Sequence, residues 1–254
     1  MKRVLLIEPD KELAGSFVGW LEGNNIGVKL VDDPDGTLNL LSNDQFDMLI
    51  VDIDYPGTTE SLLELCKTLK QDTRYSDIPI TVLTFKKEVE KIAAAIESGV
   101  DGLILKPFET GYFIDRIEAL LAQSKLKKKG KKVLDLNFIN FIINLAIDLD
   151  RDGFFALMTT VFNELIINKT KGILGEPVII VLMKRINEMM EDDCAFMKQM
   201  QFADGRFRLD EIAMAAKNVS PDKLAIGCRR YIDYFLYLIQ TLTSDVLMDK
   251  GRIR

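Results

Sequence analysis

Residues 46–57 read FDMLIVDIDYPG. An apolar run from Met48 to Val51 stops on Asp52, a second acid follows at Asp54, and Pro56-Gly57 turn the chain. A short, unbroken apolar run bounded by turn residues is the pattern of a strand covered on both faces. An acid at its last position stands where the strand leaves the core.

Outward from this stretch the same pattern repeats. Strand-like runs are RVLLI (3–7), GVKLV (27–31), FDMLIVD (46–52), IPITVLTF (78–85) and GLILK (102–106). Between and after them, ELAGSFVGWLEG, TLNLLSN, SLLELCKTLKQ, VEKIAAAIESG and GYFIDRIEALLAQ carry helical periodicity. Five strands alternating with five helices predict an α/β domain, a doubly wound five-stranded parallel sheet, over residues 1–122. In such sheets ligands bind beyond the carboxyl ends of the strands. The residues expected there are Glu8, Asp52 with Asp54, Thr84 and Lys106. Carboxylates suit a hard divalent cation, while a lysine and a hydroxyl suit phosphate oxygens.

The order and spacing of LLIEPD, FDMLIVDIDYPG, ITVLTF and GVDGLILKPF resemble the receiver domain of two-component response regulators, a flavodoxin-like fold. The resemblance covers about half the chain. It implies that Asp52 accepts a phosphoryl group from a partner histidine kinase, with Thr84 and Lys106 contacting the phosphoryl oxygens. Mg2+ is then the cofactor, with Glu8, Asp52 and Asp54 as its ligands. Three positions depart from the family pattern. Pro9 stands where the family has a second acid, which implies weakened Mg2+ binding; Asp10 lies one residue further on, and Asp54 brings an additional carboxylate. Leu103 replaces a frequent aromatic, and Phe85 replaces a frequent small residue, narrowing access to Asp52. A receiver that docks without being phosphorylated therefore stays open beside the phosphorylated switch.

The absence of histidine excludes His-based zinc sites, Ser-His-Asp and Cys-His catalysis, and phosphohistidine chemistry within the chain. Phosphorelay chemistry must then occur at a carboxylate, and no enzyme activity beyond phosphoryl acceptance is expected. The three cysteines are odd in number and scattered. Met1-Lys2-Arg3 runs directly into a strand, and no apolar run reaches membrane-spanning length. A reduced, cytoplasmic, soluble protein without membrane contact is expected.

QSKLKKKGKK (123–132) lacks apolar periodicity and predicts a lysine-rich linker over 123–133. Residues 134–254 change character. LDLNFINFIINLAIDL is apolar on nearly all sides, GEPVIIVLMKRINEMMEDDCAFMKQM predicts one long helix, and SPDK starts a last helix with Ser220 as N-cap. That helix spaces Leu224, Cys228, Tyr231, Phe235, Leu238 and Leu242 as a heptad seam, the face through which a homodimer of C-terminal helices would form. An all-α helical bundle serving protein interaction, its target unknown, is expected. DLDRDG and FADGR each half-match a calcium loop and read as turns between helices. The net charge of −6 divides into 16 basic and 22 acidic side chains over 1–129, leaving 17 of each after 130. That balance disfavours nucleic acid as a partner, yet a DNA-binding regulator remains the alternative, its recognition helix falling within RLDEIAMAAKN or LAIGCRRYIDYF.

Overall fold

The computed structural model describes the backbone of residues 1–85, 88–127 and 134–242, and their side chains except at 34–35, 123–127 and 241–242. The chain divides into two units, Met1–Gly130 and Lys131–Arg254.

Unit 1 runs β1 (Lys2–Ile7), α1 (Lys11–Gly23), β2 (Ile26–Val31), α2 (Pro34–Asn43), β3 (Met48–Asp52), α3 (Thr59–Gln71), β4 (Ile80–Phe85), α4 (Val89–Glu97), β5 (Gly102–Lys106) and α5 (Thr110–Lys127). All neighbouring strands are parallel, in the order β2-β1-β3-β4-β5. Successive strand side chains face opposite ways. Val4, Leu6, Met48, Ile50, Leu83 and Ile104 therefore share one buried cluster with Phe17 and Leu21 of α1 and Phe113 and Ile117 of α5. The alternate residues Leu5, Ile7, Leu49 and Val51 are equally buried, as a sheet with helices on both faces demands. Trp20 joins an aromatic group with Phe17, Phe108 and Phe113, its ring centroid 6.5 Å from that of Phe108.

Helix α5 continues through Lys127, past Gln123, where the sequence places the start of the linker. Gln, Lys and Leu are good helix formers, so 123–127 extend the helix without needing an apolar stripe. Residues 128–133 of that predicted linker lie outside the described residues.

Unit 2 runs α6 (Leu136–Ile147), α7 (Arg151–Thr160), a π-helical segment (Val161–Ile167), α8 (Asn168–Leu174), α9 (Glu176–Met189), a 3₁₀ segment (Asp192–Gln199), β6 (Gln201–Ala203), β7 (Arg206–Arg208), α10 (Asp210–Ala215) and α11 (Pro221–Leu242). Among the described residues it is helical apart from one hairpin. Two expectations need correction. The long helix over 176–200 breaks at Met190, whose ψ of 126° is extended. Glu191, Asp192 and Asp193 are unfavourable at a helix C-terminus and favourable at the start of the next turn, so they open the 3₁₀ segment. FADGR is a hairpin turn rather than a link between helices: Asp204 and Gly205 both have positive φ, 53° and 75°, the geometry of a tight two-residue β-turn.

The hairpin is anchored by one side chain. Buried Asn163, in the π segment, donates from Nδ2 to the Phe207 carbonyl (3.2 Å) and accepts the Phe207 N–H at Oδ1 (2.7 Å). Asn163→Ala orphans two buried backbone groups, at about 1–3 kcal/mol each. A loss of about 2–4 kcal/mol is expected in the unfolding of unit 2, followed by far-UV circular dichroism in urea; a change under 1 kcal/mol would show that the clamp is dispensable.

The predicted seam is interior as far as Phe235, and Leu238 is partly buried. Leu224, Cys228, Tyr231 and Phe235 are buried within unit 2, where α11 lies against α6, α9 and the 3₁₀ segment. The Leu242 side chain lies outside the described residues. Asp150 caps α7 by accepting the Gly153 N–H at 2.8 Å, and Asp152 lies in its first turn, while Asp148 ends α6. Cys66, Cys194 and Cys228 are buried free thiols; burial pushes Cys66 and Cys228 up to about 12.

Candidate functional site

Sheet register brings the predicted residues together. Strand order reverses at β1, which opens a crevice between the ends of β1 and β3. Ile7 pairs with Val51, so the next residues, Glu8 and Asp52, stand side by side. Asp52 pairs with Leu83 and Phe85 pairs with Lys106, which places Thr84 and Lys106 on the far side of Asp52. All five predicted side chains meet at this sheet edge.

Asp52 is 2% exposed. Lys106 Nζ donates to its Oδ1 (2.9 Å) and Oδ2 (2.7 Å), and the Asp54 N–H donates to Oδ1 at 2.9 Å. Lys106 also lies 2.9 Å from Asp54 Oδ2. Burial pulls the Lys106 ammonium toward its neutral form; the hydrogen bonds and charges of Asp52 and Asp54 outweigh this and leave its pKa raised. The Phe85 ring stands 4.7 Å from Nζ while half exposed. The replacement noted in the sequence thus covers the ammonium that holds Asp52.

Glu8 accepts the Asp10 N–H at Oε1 (2.9 Å), whereas its Oε2 is buried with no hydrogen-bond partner. Burial, then the neighbouring Asp52 charge, push the Glu8 carboxyl up to about 8. Asp10 caps α1, accepting from the Glu12 and Leu13 N–H groups. Asp54 turns its carboxylate inward: Thr84 Oγ1 donates to Oδ1 at 3.0 Å, and Lys91 Nζ of α4 lies 3.3 Å away. Lys91 was not legible in the sequence, because nothing separates it from any other lysine in a first helical turn. Thr59 Oγ1 donates to the Ile53 carbonyl at 2.6 Å and fixes the loop that follows Asp52.

The acids themselves test the fit to a hard cation. Glu8 Oε2, buried and unpartnered beside a second carboxylate, is an electrostatic demand that a cation meets. Pro9 supplies no side-chain ligand, Asp10 is committed to its helix, and Asp54 faces two ammonium groups. Among the described residues no group of three or more His, Cys, Asp or Glu side chains is placed to hold a metal. The set fits a cation held by two carboxylates, with water or substrate oxygens completing the shell, as Mg2+ sites commonly allow.

The sequence profile of the response regulator receiver domain matches residues 4–118. This part of the chain is a receiver domain. Response regulator MprA of Mycobacterium avium is 29% identical over 131 residues, 52% of this chain and 56% of the relative. Response regulator ArlR of Staphylococcus epidermidis is 29% identical over 154 residues, 61% of this chain and 63% of the relative. The chain spans a little over half the length of these relatives. Among solved structures, the receiver domain of sensor histidine kinase PA1611 from Pseudomonas aeruginosa, with a magnesium ion in its active-site cleft, is 16% identical and covers 48% of this chain and 98% of its own, with a TM-score of 0.43. The receiver profile ends at residue 118, so unit 2 lies outside it. No helix among the described residues is long and apolar enough to cross a membrane.

Proposed function

We propose that the chain is a cytoplasmic two-component response regulator whose receiver takes a phosphoryl group on Asp52 from a partner histidine kinase and signals through protein contacts of unit 2. The observation that carries this reading is the Asp52–Lys106 pair, with both carboxylate oxygens within 2.9 Å of one ammonium at the end of β3. In the reaction an Asp52 oxygen attacks phosphorus, the bond from phosphorus to the donor imidazole breaks, and an acyl phosphate forms. Lys106 neutralises charge that develops on the phosphoryl oxygens, and Thr84 donates one hydrogen bond to them. Glu8 and Asp52 would hold the cation, which when bound supplies charge stabilisation to the transferring group.

The basic residues of α11 favour protein contact over DNA binding. Arg230 is paired with Glu191 (2.9 Å) and Asp193 (2.8 Å), and Arg229 donates to Asn144. These contacts commit part of each guanidinium within unit 2 to partners other than phosphate. A homodimer remains a proposal, and it would use a face other than the buried residues of the seam.

Intact mass after incubation with acetyl phosphate and Mg2+ tests the acceptor role. Wild type is expected to gain one phosphoryl group and Asp52→Asn none. If wild type gains nothing at high Mg2+, the receiver works as a docking module instead.

A further inference from the structure

The pocket holds a carboxylate that phosphoryl transfer does not require. The Asp54 side chain is 6% exposed. Its Oδ1 takes the Thr84 hydroxyl hydrogen (3.0 Å) and faces Lys91 (3.3 Å), and its Oδ2 faces Lys106 (2.9 Å). Thr84 and Lys106 are the groups that a phosphoryl group on Asp52 would engage. Both are already committed. A threonine hydroxyl has one hydrogen to donate, and an ammonium has three. The Thr84 hydrogen goes to Asp54, while Lys106 donates to both Asp52 oxygens and is held by charge to Asp54 Oδ2, 2.9 Å away, an oxygen that takes no hydrogen bond.

We propose that the Asp54 carboxylate is a built-in stand-in for the phosphoryl group, holding Thr84 and Lys106 engaged and tethering α4 through Lys91 before any phosphorylation. This rests on the acceptor reading of Asp52. A phosphoryl oxygen then displaces a resident anion instead of recruiting free donors. The α4 surface is already in its engaged position in the unmodified protein, and the expected cost is a slower uptake of phosphate. Lys91 becomes a positioning residue, since it acts through Asp54 and ties a surface helix to the end of β3.

Hydrogen–deuterium exchange on the full chain, without any phosphoryl donor, reads the tether directly. Asp54→Ala and Lys91→Met are each expected to speed exchange across Val89–Glu97 at least fivefold, and the double variant to add little to either. Acetyl phosphate with Mg2+ is then expected to restore slow exchange in Asp54→Ala, to leave wild type nearly unchanged, and to label Asp54→Ala faster than wild type. Wild-type exchange rates in both single variants would overturn the proposal, as would a marked slowing of α4 exchange when wild type is phosphorylated. If Asp52 takes no label in any variant, the acceptor reading fails alone, because the donor-free exchange still decides whether Asp54 holds α4. Lys91→Met alters a partly exposed side chain, so it keeps the test decisive should Asp54→Ala fold poorly.

Discussion

Lys106→Met is expected to destabilise the receiver unit by about 3–5 kcal/mol, the range for removing one partner of a buried ion pair. Lys106 is the ammonium that meets both oxygens of Asp52, and it also neutralises Asp54. Without it, Asp52, Asp54 and Glu8 converge in a pocket where Asp52 and Glu8 are each 2% exposed, and of these three acids Lys91 is paired with Asp54, while it also faces Glu88. Methionine preserves most of the stem's volume, so the measured loss is electrostatic and not that of a cavity. Urea unfolding at pH 7.5, with Lys106→Met alone and combined with Asp52→Asn, separates the contributions. The double variant is expected to recover about half the loss, because one unpaired charge is gone. A single-variant loss under 1 kcal/mol would mean that solvent reaches the acids far more freely than their burial indicates.

The second large effect concerns pH. The Glu8 carboxyl ordinarily titrates near 4.5 and is held at about 8 in the folded chain by burial and by Asp52. Between these values the folded state retains a proton that the unfolded state has released. Stability therefore falls as pH rises: the contribution is fully present below about 4.5 and is lost as pH climbs through about 8. At 1.36 kcal/mol for each unit, a decline of roughly 2–5 kcal/mol is expected in metal-free buffer. Glu8→Gln removes the titrating group, so it should flatten the slope and raise the melting temperature at pH 8 relative to wild type. If the deprotonated pair holds Mg2+ as proposed, the ion should stabilise wild type at pH 8 and do little at pH 5. A melting temperature that is flat or rising from pH 5 to 8 would contradict this arrangement.

The parallel sheet was legible because its strands are covered on both faces, which writes continuous apolar runs into the chain and puts the polar residues at their tips. The site followed from those tips, since Ile7 and Val51 pair and so set Glu8 against Asp52. The fate of each carboxylate was less legible. Asp10 and Asp54 both follow strands closely, yet one caps a helix and the other turns inward to Lys91 and Lys106, and this choice depends on α4, distant in sequence. In unit 2 the break at Met190 was overridden by a methionine-rich stripe whose period continued across it. The hairpin was signalled by Asp204-Gly205 between Phe202 and Phe207, but it is only three residues a side. The π segment (Val161–Ile167) has no sequence signature, and neither does the clamp of its Asn163 on Phe207.

Trp20 is the chain's single tryptophan, and its ring neighbour Phe108 comes two residues after Lys106. Any displacement of the Lys106 end of β5 that carries Phe108 changes the polarity and quenching around one indole, with no second fluorophore of its kind to dilute the signal. The receiver thus contains its own optical gauge. Where occupancy of the Asp52 pocket moves Phe108, the unlabelled protein would report it, in real time, in the colour of its emission.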